Sequence, residues 1–132
     1  MRAWINGQLL DDPTAPAVPV TDHGVTVGDA VFEAIKVVDN MPFALQHHLD
    51  RLERSAAGLG LTGLSIDDVR RGVAAVLDGE PMALGRLRIT VTGGNAPLGS
   101  GRGTEPPTLI VVASAMDPAP ETTSVITVAW PR

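Results

Sequence analysis

Residues Thr21 to Asp50, TDHGVTVGDAVFEAIKVVDNMPFALQHHLD, with Arg51 directly after them, are the stretch around which the rest of the chain is organised. From Val31 to Val38 residue character alternates. Phe32, Ala34, Lys36 and Val38 therefore fall on one side of a strand, and Val31, Glu33, Ile35 and Val37 on the other. A row that is apolar at Phe32 and Ala34 but cationic at Lys36 suits the wall of a pocket for an anion. The plainer alternative is an edge strand whose lysine reaches water. Gly28-Asp29 lets the chain turn sharply into the strand, and Asp39-Asn40 turns it out. The helix that opens next carries His48 and Arg51 three residues apart, hence on one side. Together these features describe one pocket for a phosphorylated ligand, with the forked cation of Arg51 as clamp and Phe32, Ala34 and Lys36 as wall.

Working outward, Asn6-Gly7 between Ala3-Trp4-Ile5 and Gln8-Leu9-Leu10 predicts a tight hairpin, and the proline-bearing run Asp11 to Pro19 a surface connector. Met41-Pro42-Phe43 reads as a short extended return. A helix is expected from about Leu45 to Gly58, with Leu45, Leu49, Leu52, Ala56 and Leu59 as its core stripe and His48, Arg51 and Ser55 along its border. Ser65, with Asp68 three residues on, announces a second helix that buries Ile66, Val69, Val73, Val76 and Leu77 and leaves Arg70 and Arg71 in solvent. From Arg86 the period returns to two, setting Leu87, Ile89 and Val91 against Arg86, Arg88, Thr90 and Thr92. Gly93 to Pro107 is too long for a turn and reads as a functional lid or a disordered segment. It lacks the Gly-Lys-Ser or Gly-Lys-Thr of a nucleotide phosphate loop. Thr108 to Ala115 is expected to be a strand buried on both faces, and Ser124 to Trp130 a further strand. The order predicts a single α+β domain over residues 1–132, a largely antiparallel sheet with two consecutive helices packed on one face.

Composition narrows the function classes. A chain of 132 residues with net charge -5, nine arginines and one lysine, all scattered, offers no basic surface for nucleic acid. The absence of cysteine removes disulfides and thiolate metal sites and points to a reducing cytoplasm. No apolar run is long enough to serve as a signal or to span a membrane. His47-His48-Leu49-Asp50 cannot converge on one metal ion, because adjacent helical residues point about 100° apart. No serine stands in a nucleophile elbow, and Asp22-His23-Gly24 reads as a turn with a side-chain hydrogen bond to backbone. Beside the anion pocket stands a second reading, a non-catalytic interaction domain that binds a partner.

The same residues carry a family likeness. Trp4-Ile5-Asn6-Gly7, Asp22-His23-Gly24 followed by Val27-Gly28-Asp29-Ala30-Val31-Phe32-Glu33, and His48-Leu49-Asp50-Arg51-Leu52 resemble the N-terminal domain of fold-type IV pyridoxal-phosphate enzymes. These form the class IV aminotransferase family of branched-chain aminotransferases, D-amino acid aminotransferases and 4-amino-4-deoxychorismate lyases. The resemblance implies pyridoxal 5'-phosphate as cofactor, Arg51 on its phosphate, Phe32, Ala34 and Lys36 on the substrate side, and Thr92, Gly93 and Gly94 at the start of a loop that shapes selectivity. Gly93 stands where D-amino acid aminotransferases commonly carry arginine, which disfavours that activity. The family's Schiff-base lysine would lie beyond Arg132, in a C-terminal domain absent from this chain, so this domain is expected not to be competent alone. A homodimer is implied. The run Gly85 to Gly94 and the ending Val128-Ala129-Trp130-Pro131-Arg132 look most like bacterial 4-amino-4-deoxychorismate lyase, which eliminates pyruvate to leave the folate precursor 4-aminobenzoate. Branched-chain transamination is the runner-up, since Phe32 and Ala34 would also accept an aliphatic side chain.

Overall fold

The computed structural model describes residues 1–130. Strand β1 (Arg2–Ile5) and the short β2 (Gln8–Leu9) form the hairpin expected at Asn6-Gly7, both of which adopt positive φ. A one-turn helix, α1 (His23–Thr26), precedes β3 (Ala30–Val38), which Asp39 and Asn40, again at positive φ, turn into the two-residue β4 (Met41–Pro42). Helices α2 (Leu45–Leu59) and α3 (Ile66–Leu77) follow, then β5 (Leu84–Thr92) and β6 (Leu109–Ala115). The six strands lie in the order β2-β1-β6-β5-β3-β4, every neighbouring pair antiparallel. The fold is α+β, as the residue pattern predicts.

Alternation in the strands decides where the core lies. Glu33, Ile35 and Val37 of β3, Leu87, Ile89 and Val91 of β5, and Val111 and Ala113 of β6 face the helices. Leu49, Leu52 and Ala56 of α2 and Val69, Val73 and Val76 of α3 meet them there. Trp4 joins the same cluster from β1. Helix α2 packs on β3, while α3 covers β6 and β1. Ser65 caps α3 as its spacing predicts, its Oγ accepting from the Asp68 amide at 3.2 Å. The helix-free face of the sheet stays open. Phe32, Ala34 and Lys36, Arg86 and Arg88 are exposed there, and Thr90, Ile110, Val112 and Ser114 are half-buried.

Three expectations change. Thr108 to Ala115 is not buried on both faces, because no layer of the described residues covers the open side and Ile110, Val112 and Ser114 stay half-exposed. Ser124 to Trp130 forms no strand; it lies exposed with no neighbouring strand to supply ladder hydrogen bonds. Leu59 ends the expected α2 stripe but is 42% exposed and does not join the core. Pro131 and Arg132, part of the ending used in the family likeness, lie outside the described residues.

Candidate functional site

The inward row of β3 contains one charged residue. Glu33 is 3% exposed, and an ionised carboxylate in that position requires partners. It has three contacts. Arg51 Nε donates to Oε1 at 2.6 Å, Arg51 Nη2 donates to Oε2, and His48 Nδ1 lies 2.8 Å from Oε2. A carboxylate can only accept, so Nδ1 of His48 carries the proton in that contact and Nε2 is the nitrogen left for other work. The Arg51 hydrogen bond holds the Glu33 carboxyl below the usual carboxylate range; burial opposes this, and the His48 hydrogen bond adds to it. In return the Glu33 carboxylate raises the already high basicity of Arg51 and keeps it charged.

Helical spacing makes this arrangement possible. His48 and Arg51 stand three residues apart on α2, so both reach the same carboxylate. The fork is anchored on its inner edge while its side chain remains 58% exposed, and the two N–H groups of Nη1 have no protein partner among the described residues.

Phe32, Ala34 and Lys36 stand on the other side of β3. The structure therefore does not gather Arg51 and the wall onto one face, as the single pocket expected from the sequence would require. Strand parity separates them, because Arg51 is tied to Glu33 and Glu33 points the opposite way from Phe32 and Ala34. They flank a common edge instead. Strand β4 pairs only with Val37 and Val38, so β3 from Ala30 to Ile35 forms the margin of the sheet, with Arg51 on one side of it and the wall on the other.

On the open face Ala34 is directly opposite Arg88, and Lys36 directly opposite Arg86. The Arg88 guanidinium lies over the Phe32 ring, 4.0 Å from its centroid, and its Nε donates to Thr90 Oγ1 at 3.2 Å. Lys36, Arg86 and Arg88 give this face three cations, and its strand residues include no acid. A shallow groove lined by Ala34, Ile35, Lys36, Arg86 and Met116 runs along it.

At the far end of β5, Thr92 is buried and its hydroxyl is engaged within the fold: it donates to Asp22 Oδ2 at 2.9 Å and accepts from the Gly94 amide at 3.1 Å. Thr108 donates to the same Asp22 oxygen at 2.6 Å, and Asp22 Oδ1 accepts from the Gly24 amide at 2.8 Å. Asp22-His23-Gly24 thus makes the side-chain to backbone bond expected of it, within a helical turn. Gly93 and Gly94 begin a loop that is hydrogen-bonded to the segment before β3, the Gly93 amide donating to the Asp29 carbonyl at 2.8 Å.

A larger cavity of about 330 Å³ between Trp4, Asn6 and the start of α3 is remote from this site, and its charged residues Asp68 and Arg71 are paired with each other. Glu33 is the site residue that alternation alone left without a role; its signal was a charge set among Val31, Ile35 and Val37. Arg86 and Arg88 were visible as a polar row, but their place beside Lys36 depends on strand register.

Residues 30–132 match the family described as Amino-transferase class IV. The chain belongs to the class IV aminotransferase family. It is 34% identical over 120 residues to the "Putative branched-chain-amino-acid aminotransferase" of Methanocaldococcus jannaschii, covering 89% of this chain and 41% of that one. It is 32% identical over 98 residues to a D-alanine aminotransferase of Bacillus licheniformis, covering 74% and 34%. Among solved structures, 4-amino-4-deoxychorismate lyase from Pseudomonas aeruginosa superposes with a TM-score of 0.70 at 27% identity, covering 90% and 42%. A hypothetical aminotransferase from Mycobacterium tuberculosis in its PLP-bound form gives 0.68 at 27% identity, covering 87% and 39%. The chain spans about a third to two fifths of the length of these four proteins. Pyridoxal phosphate is the cofactor of this class IV aminotransferase family; a phosphate calls for a cation with N–H donors to spare, and Arg51 presents the two of Nη1.

Proposed function

We propose that this chain is the N-terminal domain of a pyridoxal-phosphate lyase that eliminates pyruvate from 4-amino-4-deoxychorismate and leaves 4-aminobenzoate for folate synthesis. The observation that carries the reading is Arg51, locked by the buried Glu33 with its outer edge free beside the margin of β3. Preorganisation of this kind lowers the cost of ordering a flexible side chain when a phosphate arrives. His48 supports it from behind through Glu33.

A ligand at the β3 margin can touch both sides of the strand, its phosphate on Arg51 and its reacting part toward Phe32, Ala34 and Lys36. Bound pyridoxal phosphate supplies the electron sink for bond cleavage at the substrate. This chain binds and orients. The three cations of the open face, Lys36, Arg86 and Arg88, favour a substrate with two carboxylates, and the loop that starts at Thr92, Gly93 and Gly94 shapes selectivity from the other end of β5. The Schiff-base lysine is assigned to a C-terminal domain beyond Arg132, and the assembly to a cytoplasmic homodimer. Branched-chain transamination is the second reading, favoured by the Methanocaldococcus jannaschii relative and by the apolar pair Phe32 and Ala34.

In the full-length protein, Arg51→Ala is expected to weaken pyridoxal phosphate binding tenfold or more, on the order of the loss of a charged hydrogen-bonded contact. Unchanged affinity by fluorescence titration would remove Arg51 from the site. Release of pyruvate with 4-aminobenzoate identifies the lyase, and glutamate-dependent keto-acid exchange the transaminase. A full-length protein that binds no pyridoxal phosphate would leave the interaction-domain reading.

A further inference from the structure

The loop from Gly93 to Pro107 is tied at both ends. Near its start the His23 amide donates to the Gly94 carbonyl at 2.9 Å and the Ala96 amide to the Thr21 carbonyl at 3.2 Å. Its far side is held by one side chain. Arg102 donates from Nε to Asp29 Oδ2 at 2.5 Å, from Nη2 to Asp29 Oδ1 at 2.8 Å and the Leu59 carbonyl at 2.5 Å, and from Nη1 to the Gly60 carbonyl at 2.8 Å. Those carbonyls end α2, where a helix leaves acceptors unpaired and its dipole is negative. Asp29 leads into β3. A single guanidinium therefore joins loop, helix end and strand.

Asp29 has a second partner within reach. His23 is fully buried, and among the described residues neither ring nitrogen has a hydrogen-bond partner. Its Nδ1 lies 4.0 Å from Asp29 Oδ2, too far for a hydrogen bond. An imidazole left unsatisfied on both nitrogens is costly, and the carboxylate beside it is the one that Arg102 now holds.

We propose that Arg102, Asp29 and His23 form a latch on the 93–107 loop: closed when Arg102 grips Asp29, open when Asp29 turns to hydrogen-bond His23 and Arg102 swings away with its loop. The exchange replaces an ion pair whose arginine is about a third exposed with a buried hydrogen bond from an imidazole N–H. Opening also gives up the bonds from Arg102 to the Leu59 and Gly60 carbonyls, so the closed form is the major state and the open form the minor one. Gly93 is fitted to the catch. A Cβ there would stand 2.6 Å from Asp29 Oδ2 and 3.1 Å from the His23 Cβ, so a side chain would push the carboxylate out of place. The latch governs the loop that starts at Gly93 whichever substrate the enzyme takes, and so stands apart from the lyase reading.

Limited trypsin digestion of the full-length protein, followed by mass spectrometry, reads the latch directly. The Arg102–Gly103 bond reports loop release, and the Arg54–Ser55 bond inside α2 reports global unfolding. Asp29→Asn is expected to speed cleavage after Arg102 on the order of fivefold with cleavage after Arg54 unchanged. His23→Leu, which removes the alternate partner, is expected to slow it. An Asp29→Asn rate equal to wild type, or a His23→Leu rate not below wild type, overturns the latch. Should either variant unfold, amide exchange on the wild-type protein decides: the Ala96 amide should exchange well before those of Ile89 and Val91, and simultaneous exchange overturns the proposal.

Discussion

A guanidinium held on one edge by a buried carboxylate is a different device from one free in water, and Glu33 makes that difference at Arg51. Because the Glu33 carboxyl is held below the usual carboxylate range, chiefly by Arg51, the folded protein binds that proton more weakly than the unfolded chain does. Its contribution to stability is complete above the unfolded chain's carboxylate pKa and is lost as the pH falls through the folded value. Glu33→Gln is therefore expected to lower Tm by several degrees at neutral pH, with the gap to wild type closing as the solution is acidified. Thermal melts of both proteins across that range check it, and a gap that does not depend on pH would contradict the assignment. At this scale the sequence revealed Arg51, His48 and the alternation of β3. It could not reveal that Arg51 would be claimed by Glu33, eighteen residues away on the opposite row from Phe32, because a contact between strand and helix depends on how α2 is laid across the sheet.

Between elements, packing separates close approach from open space. Gly72 on α3 faces the sheet at a point where a Cβ would come within 2.8 Å of both Trp4 and Val111. Gly72→Ala gains about 1 kcal/mol of helix propensity but incurs overpacking of about 1–3 kcal/mol, so a net loss of about 1 kcal/mol is expected by denaturant unfolding. Ser65→Ala, which removes the α3 cap, should cost about 1 kcal/mol in the same assay. Lys36 and Arg86 are like charges paired directly across β3 and β5. Lys36→Gln should accordingly stabilise the fold slightly, by about 0.2–1 kcal/mol. If the open face receives an anionic substrate, the same change should raise KM, and a variant that is both less stable and unchanged in KM would argue against both readings. The caps, turns and helix stripes were legible because each is made by residues close in sequence. The burial of β6 was overestimated because an apolar run does not say whether one or two layers cover it.

For the molecule as a whole, the sheet presents one face to the helices and leaves the other without a layer. Phe32 is 56% exposed on that face, and Val125, Ile126 and Trp130 are more exposed still in the segment after β6. The isolated 132-residue chain is expected to self-associate, as read by light scattering against concentration; a well-behaved monomer at high concentration would show that the open face tolerates water. By itself the sequence determined the α+β class, the first hairpin, the two long helices with the Ser65 cap and the family, since these rest on short-range periodicity and on motifs contiguous in the chain. Only the tertiary structure decided that Arg51 and the Phe32 to Lys36 wall lie on opposite sides of one strand, that three cations share the open face, and that Arg102 reaches Asp29 and the end of α2. Those relations join residues far apart in sequence through strand order and register, and local alternation fixes a side chain's parity without saying which element will be waiting on that side.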